Sequence, residues 1–434
     1  MRKIKKITLE NPADFKRKLL SWSQQFDELV CLDSNPEFNN ANQRYSSFDF
    51  ILASDALTAI KTDFQDAFEK LDEYRKTTND WIFGYLTYDL KNDVEALTST
   101  NQDLVLFPDL YFFQPKKLFF IKGTILEMHY LHFVADEMEE DFNAILNFQA
   151  QGENSIYNIP KIQSRLSKQD YIEKVKQMLH HIQMGDIYEA NFCQEFYAEN
   201  TTINPLKTFE QLNDISSPPF ATFLKLEEHY LLSASPERYL KKEGTKIISQ
   251  PIKGTARRER EALADEKLAK ELETNEKERS ENIMITDLVR NDLSRTATKG
   301  SVQVEELCGL YTFKQVHQLI STITSEVAET TSIVDVLKTT FPMGSMTGAP
   351  KVSALKIIEN LEETKRGLYS GAVGYISPHG NADFNVVIRS ILYNQQNKYL
   401  SFSVGSAITI KSTPESEYEE CLLKAKAIME VLNK

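Results

Sequence analysis

Two hydrophobic rhythms run along the chain. Runs in which apolar residues alternate with polar ones, or follow one another for a few positions, predict strands. In residues 1–150 these are ELVCLDS, SFDFILA, WIFGYLTYDL and the long LYFFQPKKLFFIKGTILEMHYLHFV; later come YLLSASPERYL, TKIISQPI, GAVGYISP, FNVVIRSILYN and YLSFSVGSAITI. Other stretches repeat at helical spacing, among them DFKRKLLSWSQQF. A second helix opens at Ser167, a capping residue with Asp170 in the first turn. It continues through Tyr171, Ile172, Val175, Met178, Leu179 and Ile182 and stops at Gly185. Further helices are expected over about 261–293, 333–340, 351–361 and 415–432. Strands follow strands too often for a βαβ repeat, so the expected class is α+β, with mixed or antiparallel sheets and helices packed outside. Residues 151–166 are polar and uneven and read as a connector between an N-terminal region, 1–150, and a second region, 167–434.

Composition narrows the function more than the fold. The 434 residues are 41% hydrophobic and 26% charged, with 25 Phe and 18 Tyr, which is ample for a large core and unlike a disordered chain. A formal net charge of −13 argues against nucleic acid as the main partner, and an anionic small substrate would need a locally positive pocket. Cys31, Cys193, Cys308 and Cys421 are scattered, without zinc spacing, as expected of free thiols in a reducing cytoplasm. MRKIKKITLE lacks the apolar core of a secretory signal, and no apolar run reaches the length of a membrane span, so a soluble cytoplasmic protein is expected, with no membrane partner. No glycine-rich nucleotide loop follows a strand. In GSMTGAPK (344–351), Pro350 suits the first position of a helix; the turn could offer amides to an anion or simply cap the helix.

Candidate chemistry rests on a few charged residues in apolar company. Glu278 and Glu281 are three apart in KERSENIMITDLVRNDL, as are Glu417 and Glu420 in ESEYEECLLKAKA, so each pair shares a helix face. Such pairs are either solvated surface or, if the two helices meet, ligands for Mg²⁺, which needs only one or two protein carboxylates. Lys424 stands in the favourable order after Glu420, as a surface ion pair or a cation beside a substrate carboxylate. Arg389, in the apolar FNVVIRSIL, must be paired, with an internal carboxylate or with a ligand's. His317 in FKQVHQLIST is either a hydrogen-bonded core residue or a catalytic group. His180 and His181 are adjacent, point apart and read as surface. Glu237 in SASPERYL and Lys253 in SQPIKGT would form an acid and amine pair, with burial expected to raise the first and depress the second.

Taken in order, GDIYEANF (185–192), SPER (235–238), PIKGT (251–255), KERSENIMITDLVRNDL (277–293), FPMGSMTGAPK (341–351), GAVGY (371–375), VVIRS (386–390) and ESEYEECLLKAKA (415–427) resemble the chorismate-utilising enzyme family. The resemblance implies two facing, largely antiparallel sheets wrapped by helices, with the active site between them. It implies Mg²⁺ on Glu281 and Glu420, with Glu278 and Glu417 behind them. It implies that Gly254, Thr255, Tyr375, Arg389, Gly405, Ser406 and Lys424 hold chorismate; His317, on residue type alone, stands with Lys253 and Glu237 as a catalytic candidate.

Within the family, anthranilate synthases resemble PIAGT where this chain has PIKGT, as aminodeoxychorismate synthases do. That likeness implies amination of chorismate to 4-amino-4-deoxychorismate in the folate branch, with Lys253 attacking C2 and Glu237 protonating the C4 oxygen. A separate glutamine amidotransferase would supply ammonia, since the chain has no Cys-His glutaminase signature, and an aminodeoxychorismate lyase would act downstream. The rivals are anthranilate synthase, isochorismate or salicylate synthase, and a non-catalytic ligand binder. Two departures stand out. Glu189 occupies a position where the family commonly has glutamine, and isochorismate synthases have lysine; and Gly405, Ser406 and Ala407 stand in place of the usual GAG. A tryptophan pocket, as in regulated relatives, would involve Leu32–Ser34 and Pro219–Phe220.

Overall fold

The computed structural model describes residues 2–37, 45–149 and 158–433. Its strands join into a single, overwhelmingly antiparallel hydrogen-bonded network of two arms. The arms diverge from the long strand Leu110–Lys122. One side of that strand pairs with Phe50–Thr62 along its length; the other pairs first with Ile82–Leu86 and then with Ile125–Leu131. The first arm runs from Phe50–Thr62 through Glu28–Asp33, Phe220–Leu226, His229–Ser235, Ser390–Asn394 and Tyr399–Thr409 to Glu189–Ala198. The second runs from Ile82–Leu86 through Ala372–Ile376, Ala382–Val386, Arg238–Glu243 and Lys246–Gln250 to Val316–Glu326, which also holds Ile252–Arg257 and Gln303–Thr312. Strands from residues 1–150 and from 167–434 therefore share one network. Of the connector, residues 151–157 lie outside the described residues, while Gln163–Ser164 adds a short strand beside Phe196 and Tyr197.

The period of two explains both cores. In the first arm Val30, Ile51, Ala53, Leu231 and Leu392 belong to one core that they share with Phe83, Leu240, Ile247 and Phe384 of the second arm. Their neighbours Leu29, Cys31, Leu52, Leu232 and Ile391 point outward, beneath the helices Pro12–Trp22, Lys168–Met184, Pro205–Ser216, Lys351–Leu361 and Pro414–Leu432. Strands buried on both faces read as near-continuous apolar runs, as these do.

The helix Lys168–Met184 starts where Ser167 accepts from the Asp170 amide and ends at Gly185, whose φ of 83° is left-handed. The single helix expected over 261–293 is instead two, Ala262–Thr274 and Glu276–Ser294. Asn275 stops the first and, by accepting from the amides of Lys277 and Glu278, caps the second. Pro350 precedes the first residue of Lys351–Leu361 rather than occupying it. Among the described residues, no helix is long and apolar enough to cross a membrane.

Candidate active site

The strand Ile252–Arg257 loses register against Val316–Glu326 between Ile252 and Thr255. Gly254 lies in that break with φ 93°, and a β-carbon there would stand 3.3 Å from the Cβ and Oε2 of Glu278. Glycine thus lets the strand lie against the helix Glu276–Ser294. Asn282 of that helix fixes the contact by donating to the carbonyls of Lys253 and Leu319, both at 3.0 Å. Across the gap, Glu189–Ala198 sends Ala190, Phe192 and Phe196 into the outer core, so Glu189, Asn191 and Cys193 face inward. Glu237 follows Ser235 at a tight junction: its amide donates to the Ser235 oxygen at 3.3 Å, and its carbonyl accepts from Val386 at 3.0 Å.

These walls bring Lys253 and Glu189 together. The Lys253 Nζ donates to Glu189 Oε1 at 2.8 Å, with the two side chains 11% and 1% exposed. Burial works against the ammonium, but Glu189, with Glu281 and Glu237 beyond it, outweighs burial and holds the amine above the ordinary lysine range. The depressed lysine expected from burial alone is thereby corrected. Glu237 does move upward, to about 7, because burial outweighs the Ser345 hydroxyl, Lys253, the Ile252 backbone and Arg389. Arg389 sits at a bend with φ 53° and is lowered by burial, against the attraction of Glu237. Among the described residues no carboxylate is within ion-pairing distance of it, so its guanidinium is available to a ligand.

A second group of carboxylates adjoins this pair. Glu281 is pushed up to about 7 by burial, with Glu189 and Glu278 adding to the effect and Lys253 and Lys277 opposing it. Its Oε1 is buried without a hydrogen bond, with the Lys277 Nζ 3.8 Å away as its ion-pair partner. Burial also raises Glu278, with Glu420 adding to it. Glu420 is lower than usual: crowding raises it, but Lys424, whose Nζ is 2.6 Å from its Oε1, outweighs crowding, and Lys277 and Lys253 add. Lys424 also donates to the Gly405 carbonyl at 2.9 Å. The acidic faces of the helices Glu276–Ser294 and Pro414–Leu432 thus lie within electrostatic reach of each other. A buried carboxylate oxygen without a hydrogen bond, near two further carboxylates, suits a hard divalent cation that keeps water as its remaining ligands. Glu417 is buried close to the Tyr171 hydroxyl, and no contact among the described residues joins it to Glu278 or Glu281. The compact acidic triad among the described residues lies elsewhere, at Asp66, Glu69 and Asp93, where Glu69 takes Lys338 and Asp93 takes the Phe68 amide.

Other expected site residues go elsewhere. Tyr375 stands opposite Phe83 in antiparallel register, their rings 5.7 Å apart, and lines a separate pocket, partly open to solvent, with Arg238, Leu32, Ser34, Pro219 and Phe220. Arg238 is held there by Asp383 at 2.9 and 3.2 Å. The Ser406 hydroxyl points into the outer core, 3.2 Å from the Tyr171 hydroxyl, because only its neighbours Gly405 and Ala407 share the inward face. His317 Nε2 donates to Asp265 Oδ1 at 3.0 Å and its Nδ1 shares a bond of 2.9 Å with Thr312, so both ring nitrogens are engaged away from Lys253. Thr255 is exposed, its hydroxyl 3.3 Å from the Gln318 amide.

Behind the site lies a network that the sequence did not single out. Arg366 is fully enclosed; it donates to both oxygens of Glu362 at 2.9 and 2.7 Å, to the Asn191 carbonyl at 2.8 Å and to the Met346 carbonyl at 2.7 Å. Glu362 in turn accepts from the Cys193 amide at 2.9 Å. Lys351 is likewise buried, donating to Asp292 at 2.6 Å and to the carbonyls of Thr340 and Pro342. Lys351 opens a largely apolar helix, a signal that could have found it, whereas Arg366, in EETKRG, carries no such signal.

Residues 19–430 match the family described as chorismate binding enzyme. Aminodeoxychorismate synthase component 1 of Escherichia coli (strain K12) is 35% identical over 355 residues, 81% of this chain and 76% of that one. Anthranilate synthase component 1 of Thermus thermophilus is 32% identical over 361 residues, 81% of this chain and 77% of that one. Among solved structures, anthranilate synthase component I from Streptococcus pneumoniae TIGR4 superposes with a TM-score of 0.76 at 24% identity, covering 87% of this chain and 91% of that one. The menaquinone-specific isochorismate synthase from Escherichia coli does so at 0.78 and 16% identity, covering 100% and 95%. These last two share the fold. Sequence match, fold and a buried charged site between the two arms agree: the chain belongs to the chorismate-binding family and is a chorismate-converting enzyme.

Proposed function

We propose that the enzyme aminates chorismate at C4, giving 4-amino-4-deoxychorismate, as the synthase component of an aminodeoxychorismate synthase. The observation that carries this reading is Lys253, an amine enclosed between Glu189 and the acidic helix within the field of a glutamic acid at about 7. Lys253, having lost one proton to solvent, bonds to C2 of the ring. The double bond shifts and the C4–O bond breaks, with Glu237 giving its proton so that the oxygen leaves as water. Glu237 then regains a proton from solvent. Arg389 has no carboxylate partner of its own among the described residues, which suits it to a substrate carboxylate. Glu281 and Glu420 would hold Mg²⁺, with Glu278 beside them, and the ion would neutralise a substrate carboxylate. Ammonia would come from a separate glutamine amidotransferase, and a lyase would aromatise the product.

Product analysis tests this directly. Incubation with chorismate, Mg²⁺ and an ammonium salt should give an amino-deoxy compound that keeps its enolpyruvyl group. Anthranilate with pyruvate would replace this reading with anthranilate synthase, the activity named for one relative of similar identity.

A further inference from the structure

Glu189 is buried at 1% side-chain exposure, yet only one of its oxygens has a partner. Oε1 takes Lys253 at 2.8 Å, and Oε2 is enclosed with no hydrogen bond at all. A buried carboxylate oxygen left bare is costly, and the ion pair with Lys253 offsets only part of that cost. Amination makes matters worse for Glu189. Lys253 can attack C2 only as a neutral amine turned toward the ring, and at that moment the carboxylate loses its counter-charge. A small cation with N–H donors would repair both defects, and this reaction consumes the smallest one.

We propose that Glu189 is the ammonium site of the enzyme, holding the ion through Oε2 on the wall opposite Lys253; the inference rests on the amination reading above. The ammonium gives one proton to Oε2. The ammonia so released forms the C4–N bond while the C2–Nζ bond breaks, and that electron pair returns to Nζ. Lys253 leaves as a neutral amine, takes the proton back from Glu189 and restores the ion pair. The product departs with a C4 ammonium group, so chorismate and ammonium become amino-deoxychorismate and water with no net proton released. No external oxidant or further reactant is needed.

The test uses the full chain with ammonium chloride as nitrogen source. Glu189→Gln keeps the shape and one acceptor for Lys253. It should raise the KM for ammonium about tenfold or more, the usual loss for a charge-assisted hydrogen bond. The KM for chorismate should not change, and Glu189→Asp should fall between Gln and wild type. Without ammonium, intact-protein mass spectrometry should show that Glu189→Gln still forms the dehydrated Lys253 adduct. An unchanged ammonium KM, or loss of the adduct, overturns the proposal and leaves Glu189 as a positioning residue for Lys253. Weaker binding of Mg²⁺ alone to Glu189→Gln also overturns it, by making Oε2 a metal ligand. If wild type forms no aminated product at all, the amination reading itself fails, a result distinct from either.

Discussion

Gly405 lies directly opposite Cys193 in antiparallel register, and a β-carbon on it would stand 2.5 Å from the Cys193 sulfur and 2.5 Å from Asn191 Oδ1. Its backbone needs no left-handed conformation, so the demand for glycine is purely one of space. Gly405→Ala should cost about 1–3 kcal/mol in urea unfolding, the range for overpacking. Adding Cys193→Ala should recover part of that loss. Equal stability of Gly405→Ala and wild type would mean that the two strands separate freely there.

Lys253 and Glu189 make a buried pair, and removing one partner strands the other. Lys253→Ala should lose about 3–5 kcal/mol of stability, as breaking buried pairs does. The double variant Lys253→Ala with Glu189→Ala should regain most of it while remaining unable to form a covalent adduct. Loss of stability that the second change does not repair would assign the cost to the cavity instead.

Glu237 connects stability to pH with a sign opposite to the usual acidic residue. Its pKa is raised in the folded state, to about 7, so the native protein binds its proton more tightly than the unfolded chain does. The associated stability is present in full below the unfolded value near 4.5 and is lost as pH rises through 7. Glu237→Gln should therefore match wild type near pH 4 and exceed it above pH 7, by on the order of 3 kcal/mol. Its amination activity should be gone. In wild type the acid form is the active one, so kcat should fall on the alkaline side of 7. A melting difference that does not change with pH would remove the raised carboxyl from this account.

Local signals survived folding because they are settled within a few residues. Ser167 and Gly185 end a helix by their own hydrogen bonds and backbone angle, and the spacing of Glu278 with Glu281 already puts both on one face. What alternation alone leaves open is which face of a strand looks into which cavity. Ser406 sits one residue out of phase with the site, and Tyr375, though it shares a face with Phe83, looks into a different pocket; nothing nearby in sequence says so. The partner of Lys253 lies 64 residues away on another arm of the network, which is why burial was weighed there without Glu189. His317 was legible as an isolated polar group, but not the Asp265 that claims it from a separate helix. Asn275 carried the signal for two helices in place of one, an Asn followed by Glu, Lys and Glu.

Arg366 backs the Glu189–Ala198 strand directly through the Asn191 carbonyl and indirectly through Glu362, which takes the Cys193 amide; with Met346 these make four hydrogen bonds that only a planar fork can make at once. Arg366→Lys keeps the charge and loses the fork. It should destabilise the protein by about 2–4 kcal/mol, since Glu362 and two carbonyls are left short of donors in a dry interior. Because the Asn191 and Met346 carbonyls flank the site, kcat should fall as well. Wild-type stability in Arg366→Lys would show that a single ammonium and a water replace the guanidinium.

Mg²⁺ should declare itself without any turnover. Glu281 carries a buried oxygen with no hydrogen bond, only the Lys277 ammonium 3.8 Å away, and a carboxyl held at about 7, so in the absence of metal it is a destabilising group at neutral pH and above. A cation bound there removes that cost and stabilises the folded state by mass action, about 2.7 kcal/mol at a hundredfold excess over Kd. Wild type should therefore melt at a higher temperature as Mg²⁺ is added, more so at pH 8 than at pH 6, where protonation of Glu281 competes with the metal. Glu281→Gln should start at least as stable as wild type at pH 8 and show no shift with Mg²⁺. Glu420→Gln should blunt the shift too, whereas Glu417→Gln, beside Tyr171, should leave most of it. A full Mg²⁺ shift in Glu281→Gln would place the metal elsewhere on the chain, while the absence of any shift in wild type would leave the paired acidic helices without a role in binding metal.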